Sequence, residues 1–174
     1  ELPPATTSAQ GNLFDAPVDA VENNTAQQTE EQPELIIYKT IADVAHTYHL
    51  IDTKEKRTAL IAELLLQKEI CFDTETTGID ALNAELVGMS FAWVKGEAFY
   101  IPFPENQEEA QTLAEKFKPF FESESIEKIG QNVKYDLKVL SKYGIQIKGK
   151  LFDTMIAHYL INPDMRHNMD VLGE

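Results

Sequence analysis

Cysteine is almost missing from this chain: Cys71 is the only one in 174 residues. An intramolecular disulfide is therefore impossible, which excludes a small disulfide-stapled secreted scaffold and makes a reducing cytoplasm the natural setting. Long apolar runs are missing too. No stretch approaches the ~20 residues of a membrane-spanning helix, and no signal-peptide pattern is visible. The four histidines, His46, His49, His158 and His167, lack metal-ligand spacing, so a histidine-based metal centre is not expected. Positive charge is scarce: 15 Lys and Arg stand against 29 Asp and Glu, a net charge of −14. Residues 1–34 contain no Lys or Arg at all, seven acids, and many Pro, Thr, Asn, Gln and Ala without apolar period. That composition reads as an acidic disordered linker. It leaves 35–174 as a single domain holding all 15 basic residues and 22 of the 29 acids. Such a balance argues against a strong independent grip on duplex nucleic acid. Transient handling of a single-stranded end needs less.

Against this background one segment stands out, Cys71-Phe72-Asp73-Thr74-Glu75-Thr76-Thr77-Gly78. Glu69 to Phe72 reads as a buried strand that Thr77-Gly78 ends. Strand side chains alternate faces, so Asp73 and Glu75 point the same way, about 6–7 Å apart at 3.3 Å rise per residue. Two like charges that close repel unless a cation lies between them, and carboxylate oxygens suit Mg²⁺ or Mn²⁺. Alone, the pair also describes a solvated strand end carrying turn acids.

A second cluster follows. Lys128 to Asn132 reads as a short strand leading into a helix from Val133 to Leu140, closed by Gly144. Asn132, Tyr135 and Asp136 stand at i, i+3 and i+4, on one face near the helix start. An amide, a phenol and a carboxylate placed there suit a phosphate and its metal. The same residues also describe an N-capping Asn with an acid in the first turn.

The remaining elements are expected as strands at Leu35–Tyr38 and Tyr48–Ile51 and a helix around 53–67 with Asp52 and Glu55 as a capping box. A hairpin of Leu86–Trp93 and Glu97–Ile101 turns at Lys95-Gly96. Then come a helix over Glu108–Phe121 bent near Pro119, a strand at Ile145–Lys148, and a helix from Asp153, its N-cap, to Ile161. Trp93 and Tyr100 read as packing, and Arg166 and His167 as a loop after Asn162-Pro163. Strands followed by alternating helices and strands give an α/β domain with a mixed sheet.

Six segments, in order, resemble the DEDD superfamily of 3′→5′ exonucleases, and most closely the proofreading domains of bacterial DNA polymerase I. They are Phe72–Thr76, Leu86–Phe91, Tyr100–Pro102, Gly130–Asp136, Phe152–Met155 and Arg166–Asp170. The likeness covers roughly residues 45–174. It implies a ribonuclease-H-like fold, with a central mixed five-stranded sheet flanked by helices. It implies hydrolysis of the 3′-terminal phosphodiester of single-stranded DNA by two divalent cations, Mg²⁺ or Mn²⁺, with Asp73, Glu75 and Asp136 as catalytic metal ligands. Asn132 and Tyr135 would position phosphate and sugar, Thr76 the terminal hydroxyl, Ile79 the last base as an apolar wedge, and Arg166 a phosphate. The implied partners are the single-stranded 3′ end and a polymerase domain of the same polypeptide.

The family's third motif, Tyr-x-x-x-Asp, does not occur, and neither does its histidine version. The chain begins at Glu1 rather than Met and stops where another helix starts, so it reads as a fragment truncated before that motif and weakly active at best. Two other readings stay open: a non-catalytic DNA-positioning domain, and an RNA-trimming exonuclease of the ribonuclease D type. Within the linker, Gln10-Gly11-Asn12-Leu13-Phe14 is the only Leu-Phe pair in a polar stretch. It resembles the short peptides that replication proteins insert into the sliding clamp, with Leu13 and Phe14 as anchor and Gln10 as hydrogen-bonding partner; a plain spacer is the alternative.

Overall fold

The computed structural model describes residues 40–173. The expected strand at 35–38 and the Gln10, Leu13 and Phe14 peptide lie outside the described residues. No described helix is long and apolar enough to cross a membrane.

The sheet is built from β1 (Thr47–Leu50), β2 (Glu69–Thr76), β3 (Leu86–Val94), β4 (Glu97–Pro102), β5 (Glu127–Gly130) and β6 (Leu151–Asp153). Its order is β1-β4-β3-β2-β5-β6. The β2–β3 and β3–β4 pairs are antiparallel, and β1–β4, β2–β5 and β5–β6 are parallel, so the sheet is mixed as expected. Among the described residues it has six strands rather than five. Gly96, at φ +82°, makes the β3–β4 turn where the sequence placed it.

Burial in β2 alternates. Ile70, Phe72 and Thr74 are buried while Cys71 and Glu75 are exposed, so the expected fully buried run is in fact a strand with one covered face. Phe72 and Phe91 share the covered face across the β2–β3 register. There their rings meet Phe117, Phe120 and Phe121 at centroid distances of 5.3–6.1 Å. These aromatic contacts join the sheet to α3 (Lys118–Phe121) and its N-cap Phe117, just after α2 (Gln107–Glu115). The single helix expected over 108–121 is thus two. Pro119 has no N–H to give and its ring would meet the carbonyl four residues back, which stops α2 and restarts the chain as α3.

Three further expectations need correction. Helix α1 (Lys54–Leu64) is capped by Thr53, whose Oγ1 accepts from Lys56 N at 3.2 Å, and not by Asp52, which instead pairs with Lys56 Nζ at 2.7 Å. Residues 145–148 do not form a strand. Lys148 N donates to Phe121 O, and the Lys148 carbonyl accepts from Lys128 Nζ at 2.8 Å, so this segment is fastened to the end of α3 and to the Lys128 side chain of β5. Gly149, at φ +80° and crowded by the Ser123 and Glu124 carbonyls, then turns the chain into β6, which pairs with β5 from Leu151 onward. Lastly, α4 (Lys134–Lys142) starts one residue later than the expected Val133, which is its N-cap, and runs on past Leu140 to Lys142. Helices α5 (Thr154–Ile161) and α6 (Met169–Gly173) complete the described chain.

Candidate active site

Strands β2 and β5 are parallel neighbours, and ligand crevices in α/β sheets form beyond the carboxyl ends of such strands. Here a hollow of about 590 Å³ lies at that place, lined by Asp73 of β2, Gln131 and Asn132 after β5, Tyr135 and Asp136 of α4, Met155 of α5, and His167, Asn168 and Met169. A larger hollow of about 670 Å³, lined by Arg57 and residues of α2, mixes both signs of charge and takes in only Pro102 from the six segments singled out by sequence.

Asp73 sits on the open face of β2, paired across the sheet with Ser90. Burial pushes its carboxyl above the usual range, Glu75's charge pushes further, and the Thr74 backbone opposes. Asp136 is 3% exposed and accepts from Thr74 N at 3.1 Å and Thr74 Oγ1 at 2.6 Å, both on one oxygen. Burial raises it to about 6, against those bonds and with Asp73's charge adding. Among the described residues neither carboxylate has an ion-pair partner. The strain of unpaired, partly desolvated acids, all with oxygen donors, fits a hard divalent cation. The fit is partial: no three His, Cys, Asp or Glu side chains among the described residues converge as a ready-made metal cage.

The turn before α4 is held by a residue that sequence reading treated only as a cap. Asp153 accepts from Met155 N and Ile156 N at the head of α5, and also from Asn132 N at 3.1 Å and Val133 N at 2.9 Å. Asn132 adopts φ +56°, a left-handed conformation that Asn tolerates better than most residues. It is therefore a turn residue, not part of a helical face, although it still meets Tyr135 and Asp136 around the hollow. Gly130, two residues before it, is held tightly: a Cβ there would lie 2.8 Å from Val133 Cγ2 and 3.2 Å from Phe72 O.

Residues 48–174 match a family model described as 3′-5′ exonuclease. The chain belongs to this family. Its relatives are DNA polymerases I. That of Borreliella burgdorferi is 38% identical over 130 residues, 73% of this chain and 14% of the polymerase. That of Pseudomonas aeruginosa is 39% identical over 113 residues, 60% of this chain and 12% of the polymerase. That of Synechocystis is 30% identical over 167 residues, 93% of this chain and 16% of the polymerase. The exonuclease chain therefore spans only about a seventh of such proteins. Among solved structures, the catalytic core of RRP6 from Trypanosoma brucei superimposes with a TM-score of 0.58 at 26% identity, covering 75% of this chain and 34% of that one. Brucella melitensis NrnC with bound Mg²⁺ gives 0.55 at 22% identity over 74% of this chain and 60% of that one, a likeness of fold.

In this exonuclease domain the predicted residues divide. Asp73, Asn132, Tyr135 and Asp136 share the hollow. Glu75 is exposed further along the same face of β2, opposite Gly88, where a Cβ would overlap the Tyr100 ring. The Tyr135 hydroxyl donates to Gly78 O at 2.5 Å and lies 2.5 Å from Thr76 Oγ1, so these two residues fasten the loop after β2. Ile79, 99% exposed on that loop, lines a neighbouring hollow with Asn132 and Tyr135. Arg166 is exposed one residue before His167 and does not itself line the main hollow. Sequence reading missed Thr74, Gln131 and Met155. Each carried one signal, its place inside a segment already singled out: Phe72–Thr76, Gly130–Asp136 and Phe152–Met155.

Proposed function

We propose that this domain hydrolyses the 3′-terminal phosphodiester of single-stranded DNA and releases a nucleoside monophosphate, as the proofreading part of a polymerase in the cytoplasm. The observation that supports it most is the pair Asp73 and Asp136, raised by burial without a basic partner among the described residues, at a hollow beyond the carboxyl ends of parallel strands, in a chain of the 3′-5′ exonuclease family. Two divalent cations bound there would activate water and neutralise the departing oxygen. Asp73, fixed on the strand, is the ligand best placed for sharing, with Glu75 beside it. Asp136 has one oxygen held by Thr74 and the other available to a metal or its water. Asn132 and Tyr135 line the wall for phosphate and sugar, Thr76 and Ile79 lie toward the last nucleotide, and Arg166 at the rim can meet a phosphate. A polymerase domain in the same polypeptide would supply the strand, and Gln10, Leu13 and Phe14 would reach the sliding clamp.

The test is a 5′-labelled single-stranded oligonucleotide, DNA or RNA, incubated with this chain and with the longer product of its gene in Mg²⁺ or Mn²⁺. Shortening from the 3′ end is expected on DNA, faster with the longer protein, and Asp73→Ala should abolish it. Mn²⁺ should broaden the NMR signals of Asp73, Glu75 and Asp136 first. Cleavage unaffected by Asp73→Ala, or broadening elsewhere, would overturn the assignment. Binding of residues 1–34 to the clamp should vanish in Leu13→Ala/Phe14→Ala.

A further inference from the structure

Beside the carboxylate hollow, α5 and the loop that follows it meet through two histidines. His158 on α5 and His167 at the end of the loop bring their Nδ1 atoms to 2.7 Å, with the rings edge to face at 4.9 Å. The Tyr159 ring stands edge-on to His167 at 5.3 Å. His167 is tied a second time, because its carbonyl accepts from Gln131 Nε2 at 2.7 Å. Gln131 in turn accepts from Thr154 Oγ1 at the head of α5. The loop carrying Arg166 is thus fastened on one side to α5 and on the other to the turn that carries Asn132. Arg166 is exposed and has no ion-pair partner among the described residues.

So short a contact between two ring nitrogens needs one proton between them, given by one Nδ1–H to a bare Nδ1. A first added proton settles on the outer nitrogen of the donating ring and leaves that bond in place. A second must land on the accepting Nδ1, and two N–H groups then face each other. The titratable or charged groups near the pair are Asp73 and Asp136, which share the hollow with His167, Tyr159 on α5, Asp164 and Arg166 in the loop, Asp153 at the head of α5 and Asp170 on α6, which accepts from Asn168. Gln131 is the neutral contact from the β5–α4 turn. None of the charged groups is paired with either ring among the described residues.

We propose that His158 and His167 form a proton-sharing clasp that positions the Arg166 loop for the single strand, and that it opens when both rings are charged. This rests on the nuclease reading above. The two histidines are positioning residues and act on strand affinity.

The test uses protein labelled with ¹⁵N at histidine. At pH 7.5 a scalar coupling between the two Nδ1 nuclei is expected, and at pH 5 its loss. Affinity for a single-stranded oligothymidylate is measured in EDTA by fluorescence anisotropy. His158→Ala should bind about three- to tenfold more weakly, the equilibrium effect of one lost hydrogen bond, with the amide spectrum of the sheet unchanged. His158→Asn should restore wild-type affinity at pH 7.5, because its amide can donate or accept at the same place. It should also lose less affinity than wild type between pH 7.5 and 5; the carboxylates, common to both proteins, cancel in that comparison. Absence of the coupling at pH 7.5 overturns the clasp. Coupling present with equal affinity in wild type and His158→Ala overturns the positioning role. If wild type shows the coupling but binds no oligonucleotide, the nuclease reading itself fails and takes the positioning role with it.

Discussion

Asp136 works against the stability of its own fold. A carboxyl raised to about 6 by burial holds its proton more tightly folded than unfolded, so the folded state loses stability as pH rises from about 4 to about 6 and does not regain it above. Asp136→Asn keeps an oxygen to accept from Thr74 and removes the charge. Above pH 6 it should therefore be more stable than wild type by about 1–3 kcal/mol, and equal to it below about pH 4. Thermal melts across that range check this. Added Mg²⁺ should raise the melting temperature of wild type and leave the variant unmoved, while the variant loses its nuclease activity. Sequence reading identified Asp73 and Asp136 because a carboxylate keeps its chemistry wherever it stands. It did not foresee that Thr74 would hold Asp136, since nothing local links two residues 62 positions apart. Lys128 was equally hidden: a fully buried lysine, its amine on the carbonyls of Ser123 and Lys148, is lowered to about 8 by burial.

Among the elements, the junction of β6, α5 and the β5–α4 turn depends on one side chain. Asp153 accepts four backbone N–H groups, two in α5 and two in the Asn132 turn. Asp153→Ala should cost about 2–4 kcal/mol, a helix cap plus charge-assisted bonds to a second turn. Hydrogen exchange provides the check: the amides of Asn132, Val133, Met155 and Ile156 should lose protection together, while those of β2 and β3 keep theirs. If only Met155 and Ile156 respond, Asp153 is no more than a cap. The cap was legible from Asp153 preceding an apolar helical run, and the hairpin from Lys95-Gly96. The false strand at 145–148 shows where such reading stops. Ile145 and Ile147 have strand-like chemistry, but Gly149 and the carbonyls around Lys128 decide the pairing, and those are contacts made in the folded molecule.

Over the whole molecule, the excess of acid limits how DNA can be held. With 29 acids against 15 Lys and Arg, few phosphates are expected to be neutralised, so the logarithm of the binding constant should fall with the logarithm of salt with a slope no steeper than about −2. A slope near −5 in anisotropy titrations would reveal a basic surface this charge pattern does not suggest. The alternation of strands and helices was enough to give the fold class, but not which strands lie outermost. Among the described residues these are two short strands, β1 with four residues and β6 with three. An outer strand offers its unpaired backbone to any other extended chain, and three or four residues make a poor template for such pairing. The longer, apolar strands β2 and β3 are enclosed between neighbours. Concentrated solutions of the folded domain should therefore resist the edge-to-edge stacking that seeds amyloid, and partial unfolding that uncovers β3 should be needed before thioflavin-positive fibrils appear.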